Sequence, residues 1–234
     1  MLRRTLLWAA CLCSVLPAAT RAEPAVRPAD YAALAVELDA RIGFEALPRR
    51  AEPGWNLDTR VRAGRAWLGE RFAGQPLNEA DGFDRVSGRP DAPLRPVAGA
   101  AGENLSIAFH RGFGSNALFP LGPARFPARE ARGEGAVAIL FDQSQRAVGL
   151  KVHSDYADPL GGRDARPGAV EFILFTRQGA RIARISRPLR TGVTAIGLRR
   201  AGGVPDIAGV LILNSDPGGI AIDDVLYRTA PLAG

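Results

Sequence analysis

Apolar residues in this chain fall in short runs, and Gly, Pro, Asn and Asp break those runs at close intervals from Arg41 onward. That punctuation predicts strands rather than long helices. Leu105-Ser106-Ile107-Ala108-Phe109 alternates apolar with small or polar side chains, and residues 147–152 do the same through Val148, Leu150 and Val152. Residues 135–141 are continuously apolar, as expected of a central strand. Residues 170–176 and 181–185 flank Arg177-Gln178-Gly179-Ala180, which predicts a hairpin with Gly at a left-handed position. Further strands are expected at residues 42–47, within 60–72 with Trp67 and Phe72 as core anchors, and at 82–86, 193–198, 207–213 and 220–227. The segment Tyr31 to Leu38 is rich in Ala and Leu and predicts a turn or two of helix, or irregular chain, covering a sheet edge. Residues 111–132 are aromatic and turn-rich and predict a long surface loop. The sum is an all-β protein: two packed antiparallel sheets in a β-sandwich with a short N-terminal helical or irregular segment.

One strand is unusual. Gly218-Gly219-Ile220-Ala221-Ile222-Asp223-Asp224-Val225-Leu226-Tyr227 places two adjacent carboxylates where Asp is a poor strand former. A solvent-facing bulge would explain the pair without a ligand; a metal would explain it with one.

Arg3-Arg4 followed by the apolar stretch Leu6 to Leu16 reads as a signal peptide, with cleavage expected after Ala22. Export to the periplasm or the extracellular space follows, with no membrane insertion after cleavage. The expected organisation is a signal at 1–22, a leader at 23–40 and one sandwich domain at 41–230. Both cysteines, Cys11 and Cys13, fall in the signal, so the expected mature chain has no disulfide, thiolate nucleophile or zinc–thiolate site. The formal charge of +6 shrinks once Arg3, Arg4 and Arg21 are removed, leaving 27 basic against 24 acidic residues. The arginines are interspersed with acids, which argues against a nucleic-acid partner. Lys151 is the chain's only lysine.

Several motifs together resemble a known group. Gly43-Phe44-Glu45, Leu68-Gly69-Glu70-Arg71-Phe72-Ala73-Gly74-Gln75, Gly114-Ser115-Asn116, Gly133-Glu134-Gly135-Ala136 leading to Leu140-Phe141-Asp142, and Asp206-Ile207-Ala208-Gly209 with Ile222-Asp223-Asp224 are similar to exported bacterial β-sandwich proteins of the PEP-CTERM type. The likeness spans residues 42–227. The final Pro231-Leu232-Ala233-Gly234 lacks the sorting tail, which implies free release rather than retention. The early Phe-Glu and late Ile-Asp-Asp also resemble MAM domains and jelly-roll, lectin-like carbohydrate-binding modules. That resemblance implies that the first and last strands lie side by side and share a structural calcium held by Glu45 and Asp223. Asp224 is a further candidate, although strict alternation would turn it to the opposite face.

The expected function is an exported non-catalytic binding module for carbohydrate or another extracellular ligand, such as a glycan or cell-surface polymer. Trp55, Phe113 and Tyr156 are the candidate stacking aromatics, since each lies in polar, loop-like surroundings. Two alternatives stay open: a jelly-roll polysaccharide lyase or hydrolase, and a structural protein of the extracellular matrix or cell surface. The catalytic alternative has only candidates by residue type: His110 and His153 as bases, and Glu134, Asp142, Asp155, Asp158 and Glu171 as carboxylates. Asn214-Ser215-Asp216-Pro217-Gly218-Gly219 has the composition of a calcium loop and equally that of a turn.

Overall fold

A computed structural model describes residues 25–154 and 168–230. Two large antiparallel sheets face each other. In the first, the strands run in the order Val26–Ala29, Gly192–Arg200, Ala147–Ser154, Ala221–Tyr227, Ser115–Pro120, Leu105–His110 and Trp55–Leu57, and Ala40–Ile42 also pairs with Ala221–Tyr227. In the second, the order is Arg181–Pro188, Ala169–Phe175, Ile207–Asn214, Val137–Gln145, Ala66–Gly69 and Val61–Ala63. The expected two-sheet antiparallel β-sandwich is what the chain forms, with one α-helix, Tyr31–Glu37, among the described residues.

The main core lies between the sheets. Leu118, Leu150, Val152, Leu198 and Ile222 from the first meet Ile139, Phe141, Phe172, Leu174, Val210 and Ile212 from the second. The second sheet is covered on its outer face as well: Phe72, Val86 and Leu94 close over Ala138, Ile173, Phe175, Leu211 and Leu213. Burial on both faces explains why residues 207–213 read as an unbroken apolar run rather than an alternating one. The hairpin at 176–181 has Gly179 at φ +72°, the conformation expected for that turn.

Three segments differ from expectation. Residues 26–29 join the first sheet, Val26–Ala29 forming the edge strand beside Gly192–Arg200, while the expected short helix follows and buries Leu34 and Leu38 on Ala147 and Leu226. Asp30 caps that helix by accepting from the Ala33 N–H at 2.7 Å. Residues 111–132 are not one long loop, because Ser115–Pro120 is an inner strand of the first sheet. Its side chains are buried on both faces, Leu118 inward and Ala117 and Phe119 outward, so no alternation announces it. Finally, strand pairing ends at Ile42, and Phe44 to Leu47 form bends and a turn. Glu45 therefore projects from a turn. Trp67 is half-buried beneath the guanidinium groups of Arg60 and Arg62, whereas Phe72 is fully buried.

Candidate functional site

The last strand, Ala221–Tyr227, changes partner partway along one edge. Ile222 pairs with Leu118, while Val225 to Tyr227 pair with Ile42 to Ala40. On its other edge the register against Ala147–Ser154 shifts between Gly149 and Lys151. Asp223 and Asp224 fall in this interval. Asp224 has φ +51°, a left-handed conformation that a short polar side chain tolerates at a bulge. The bulge breaks the two-residue alternation, and both carboxylates line one cleft instead of opposite faces of the sheet.

That cleft has a volume of about 480 Å³ and opens on the outer face of the first sheet. Glu45 reaches it from the turn after Ile42, Phe113 from the turn between Leu105–His110 and Ser115–Pro120, and Ser115 from the start of the latter strand. The turn is anchored there by Asn116, whose Nδ2 donates to the carbonyls of Phe44 at 3.2 Å and Leu47 at 2.9 Å. Glu45 Oε1 accepts from the Asn116 backbone N–H at 3.1 Å. Asp223, only 3% exposed, accepts from the Ser115 hydroxyl at 2.6 Å and from the Asp224 N–H at 2.7 Å. Burial raises its pKa, and the Asp224 and Glu45 carboxylates push the same way against those two hydrogen bonds. Asp224 is paired with Lys151 Nζ at 2.7 Å and Arg41 at 3.3 Å. Its backbone carbonyl accepts from the Tyr31 hydroxyl at 2.9 Å. The Tyr31 phenol is pushed up to about 12, first by burial and then by the Asp224 carboxylate.

Calcium takes six to eight oxygen ligands from carboxylates, carbonyls and water, and few of the carboxylates here are free to supply them. Asp224 is committed to two protein cations, leaving Glu45, Asp223 and the Ser115 hydroxyl. Among the described residues, no group of three or more His, Cys, Asp or Glu side chains is arranged to hold a metal ion. With Asp224 ion-paired to Lys151 and Arg41, the side chains as arranged here favour a protein cation over a calcium ion at this place.

Beside the cleft sits the chain's only pair of histidines. The His110 and His153 rings lie 4.2 Å apart, centroid to centroid, and Phe113 contacts both at 5.2 and 6.0 Å. His153 is cross-strand from Ala221, and the His110 ring also lies 5.8 Å from that of Phe119, which packs with Ala108, Ala117 and Ala221. Gly112 lets the chain pass close to both rings: a Cβ there would stand 2.4 Å from His153 and 2.9 Å from His110, and the rings would have to shift. The Gly112 N–H donates to His110 Nδ1 at 3.1 Å, so neutral His110 carries its proton on Nε2. Burial lowers the His110 pKa to about 4, with His153 and Arg132 adding to the shift. A second hollow, lined by both histidines, Arg49, Glu52 and Arg111, opens on the far side of this pair.

The structure thus brings Glu45, Phe113, Asp223 and Asp224 around one cleft. It does not bring Trp55 there. Trp55 lies on the edge strand Trp55–Leu57, donates from Nε1 to the Pro48 carbonyl at 3.0 Å and carries the Arg50 guanidinium over its ring at 4.8 Å. Tyr156, Asp155 and Asp158 lie outside the described residues. Sequence reasoning missed Arg41, Ser115 and Lys151 as members of the site; the lone lysine was the available signal. Of the carboxylates considered for catalysis, Asp142 is held by Arg62 and Glu171 by Arg184 in bidentate pairs. Glu134 is buried away from this cleft. Asp216 accepts from the Gly218 N–H within its own turn and from the distant Gly168 N–H, so its carboxylate is held by backbone donors. Compared with protein-family models, with curated proteins and with solved structures, the chain matches none.

Proposed function

We propose that the protein is an exported, non-catalytic binding module that takes a saccharide in the cleft beside Phe113. The observation that supports this most is the juxtaposition of one half-buried aromatic ring with a dense, mixed set of donors and acceptors: Ser115, Lys151 and Arg41 on one hand, Asp223, Asp224 and Glu45 on the other. A pyranose offers an apolar face to a ring and vicinal hydroxyls to carboxylates and cations, and this cleft offers the complement of both. The carboxylates favour binding over turnover, because each is already held by a protein donor or cation. Calcium is no part of this reading, for the reason of fit given above.

A glycan array probed with the exported protein tests the proposal. Binding to a restricted set of saccharides is expected, unchanged by chelator, and Phe113→Ala should lose it while melting near the parent temperature. Shortening of a polysaccharide on incubation would favour the lyase or hydrolase instead. Neither binding nor cleavage would favour a structural role.

A further inference from the structure

The acidic cleft poses a charge problem that its residues solve in an unusual way. Glu45, Asp223 and Asp224 converge on it, and the cations facing them are Arg41 and Lys151. The Arg41 side chain is 64% exposed and its charge is strongly screened by water, whereas that of Lys151 is 34% exposed. Lys151 is also cross-strand from Asp223 in the ladder, and its ammonium lies 2.7 Å from Asp224 Oδ2. The Tyr31 ring approaches the ammonium from the helix side at 5.7 Å. Every other member of the 30 Lys and Arg residues is Arg. A guanidinium is a broad planar fork, while an ammonium is a compact point charge with three donors. The one position in this chain that departs from Arg is the one packed among these carboxylates.

We infer that Lys151 is the resident cation of this cleft, a tethered ammonium in the place where the β-sandwich resemblance implies a calcium ion. A covalently attached charge needs no free ligand, so the join between the last strand and the turn carrying Glu45 is independent of metal concentration. Removing the ammonium would leave three carboxylates facing Arg41 alone. Their mutual repulsion would then be relieved only by proton uptake or by a hard cation from solution, and calcium suits irregular carboxylate oxygens. This inference stands on the cleft's charges and geometry and is independent of the saccharide reading.

The test is thermal melting of the parent, Lys151→Met and the double variant Lys151→Met/Asp224→Asn, each in EDTA and in calcium chloride, with calorimetric titration of calcium chloride alone. The parent should melt at the same temperature in both buffers and bind no calcium. Lys151→Met should melt roughly 5 °C lower in EDTA, recover in calcium chloride and show a calcium-binding heat. The double variant restores the charge balance, so it should regain most of the lost melting temperature without calcium. Asn tolerates the left-handed conformation at 224, which keeps that variant foldable. A parent that melts lower in EDTA would overturn the inference. So would a Lys151→Met protein indifferent to calcium, or a double variant that melts no higher than the single one.

Discussion

Glu134 offers the sharpest test of how this sandwich tolerates buried charge. It is 6% exposed, and its Oε2 is buried without a hydrogen-bond partner among the described residues. Its neighbours include Gly122 and Gly219 at close range, with Asp216 as a nearby like charge and Arg132 as a partial offset. Burial, the largest influence, raises its pKa from 4.5 to about 8. At about 1.4 kcal/mol per unit, ionising this carboxyl in the folded protein costs about 5 kcal/mol relative to the unfolded chain. The folded-state value is the raised one, so the stabilising effect of the proton is complete below pH 4.5 and is lost as pH climbs through 8. Glu134→Gln keeps the shape and removes the ionisation. Urea unfolding followed by the fluorescence of the two described tryptophans, Trp55 and Trp67, measures the difference. Parent and variant should agree within about 1 kcal/mol at pH 4, and the variant should be more stable by about 3–5 kcal/mol at pH 9. Stability curves that stay parallel from pH 4 to 9, or a variant weaker at pH 9, would refute the reasoning. Asp84, raised to about 7 by burial and by Glu70 and Glu103, adds a parallel loss at slightly lower pH in both proteins.

Phe72 packs edge-on to Phe175 at 5.7 Å under the small layer that covers the second sheet. Phe72→Ala should cost about 3–5 kcal/mol in chemical denaturation, and a cost under about 1 kcal/mol would mean that the layer contributes little. His110, lowered to about 4, should remain neutral in nuclear magnetic resonance titrations down to about pH 5. Its preference for the neutral form is complete above its unfolded value near 6.5, and the stability it confers is lost as pH falls towards 4. A midpoint near 6.5 for His110 in the folded protein would show that it is not shielded by His153 and the surrounding rings.

How far the sequence disclosed this arrangement depends on the element. Leu105–His110 and Ala147–Ser154 were legible because bulky apolar residues alternate with smaller or polar ones, and the hairpin around Gly179 because of its turn chemistry. Ser115–Pro120 was not, since the main core takes Leu118 and the outer cluster takes Ala117 and Phe119, while Gly112, Gly114 and Pro120 mimic loop punctuation. Glu45 and Asp223 line one cleft, and no spacing or periodicity in the sequence pairs them. The same holds for the cations, because Lys151 and Arg41 lie on strands remote in sequence that only the ladder brings to Asp224. Alternation also misplaced Asp224, whose bulge is a property of the pairing change beneath it rather than of its own residue type. Trp55 reads as a loop aromatic in a polar segment, yet its ring is occupied by Arg50 and Pro48.

The most direct test of the central claim is a map of where saccharide binds. The best array ligand, titrated into isotope-labelled protein, should shift the amide signals of Phe113, Ser115, Lys151, Asp223 and Asp224 along one saturating curve while Trp55 stays still. Saturable shifts centred on Trp55, or on the second sheet with the Phe113 cleft unmoved, would contradict the account.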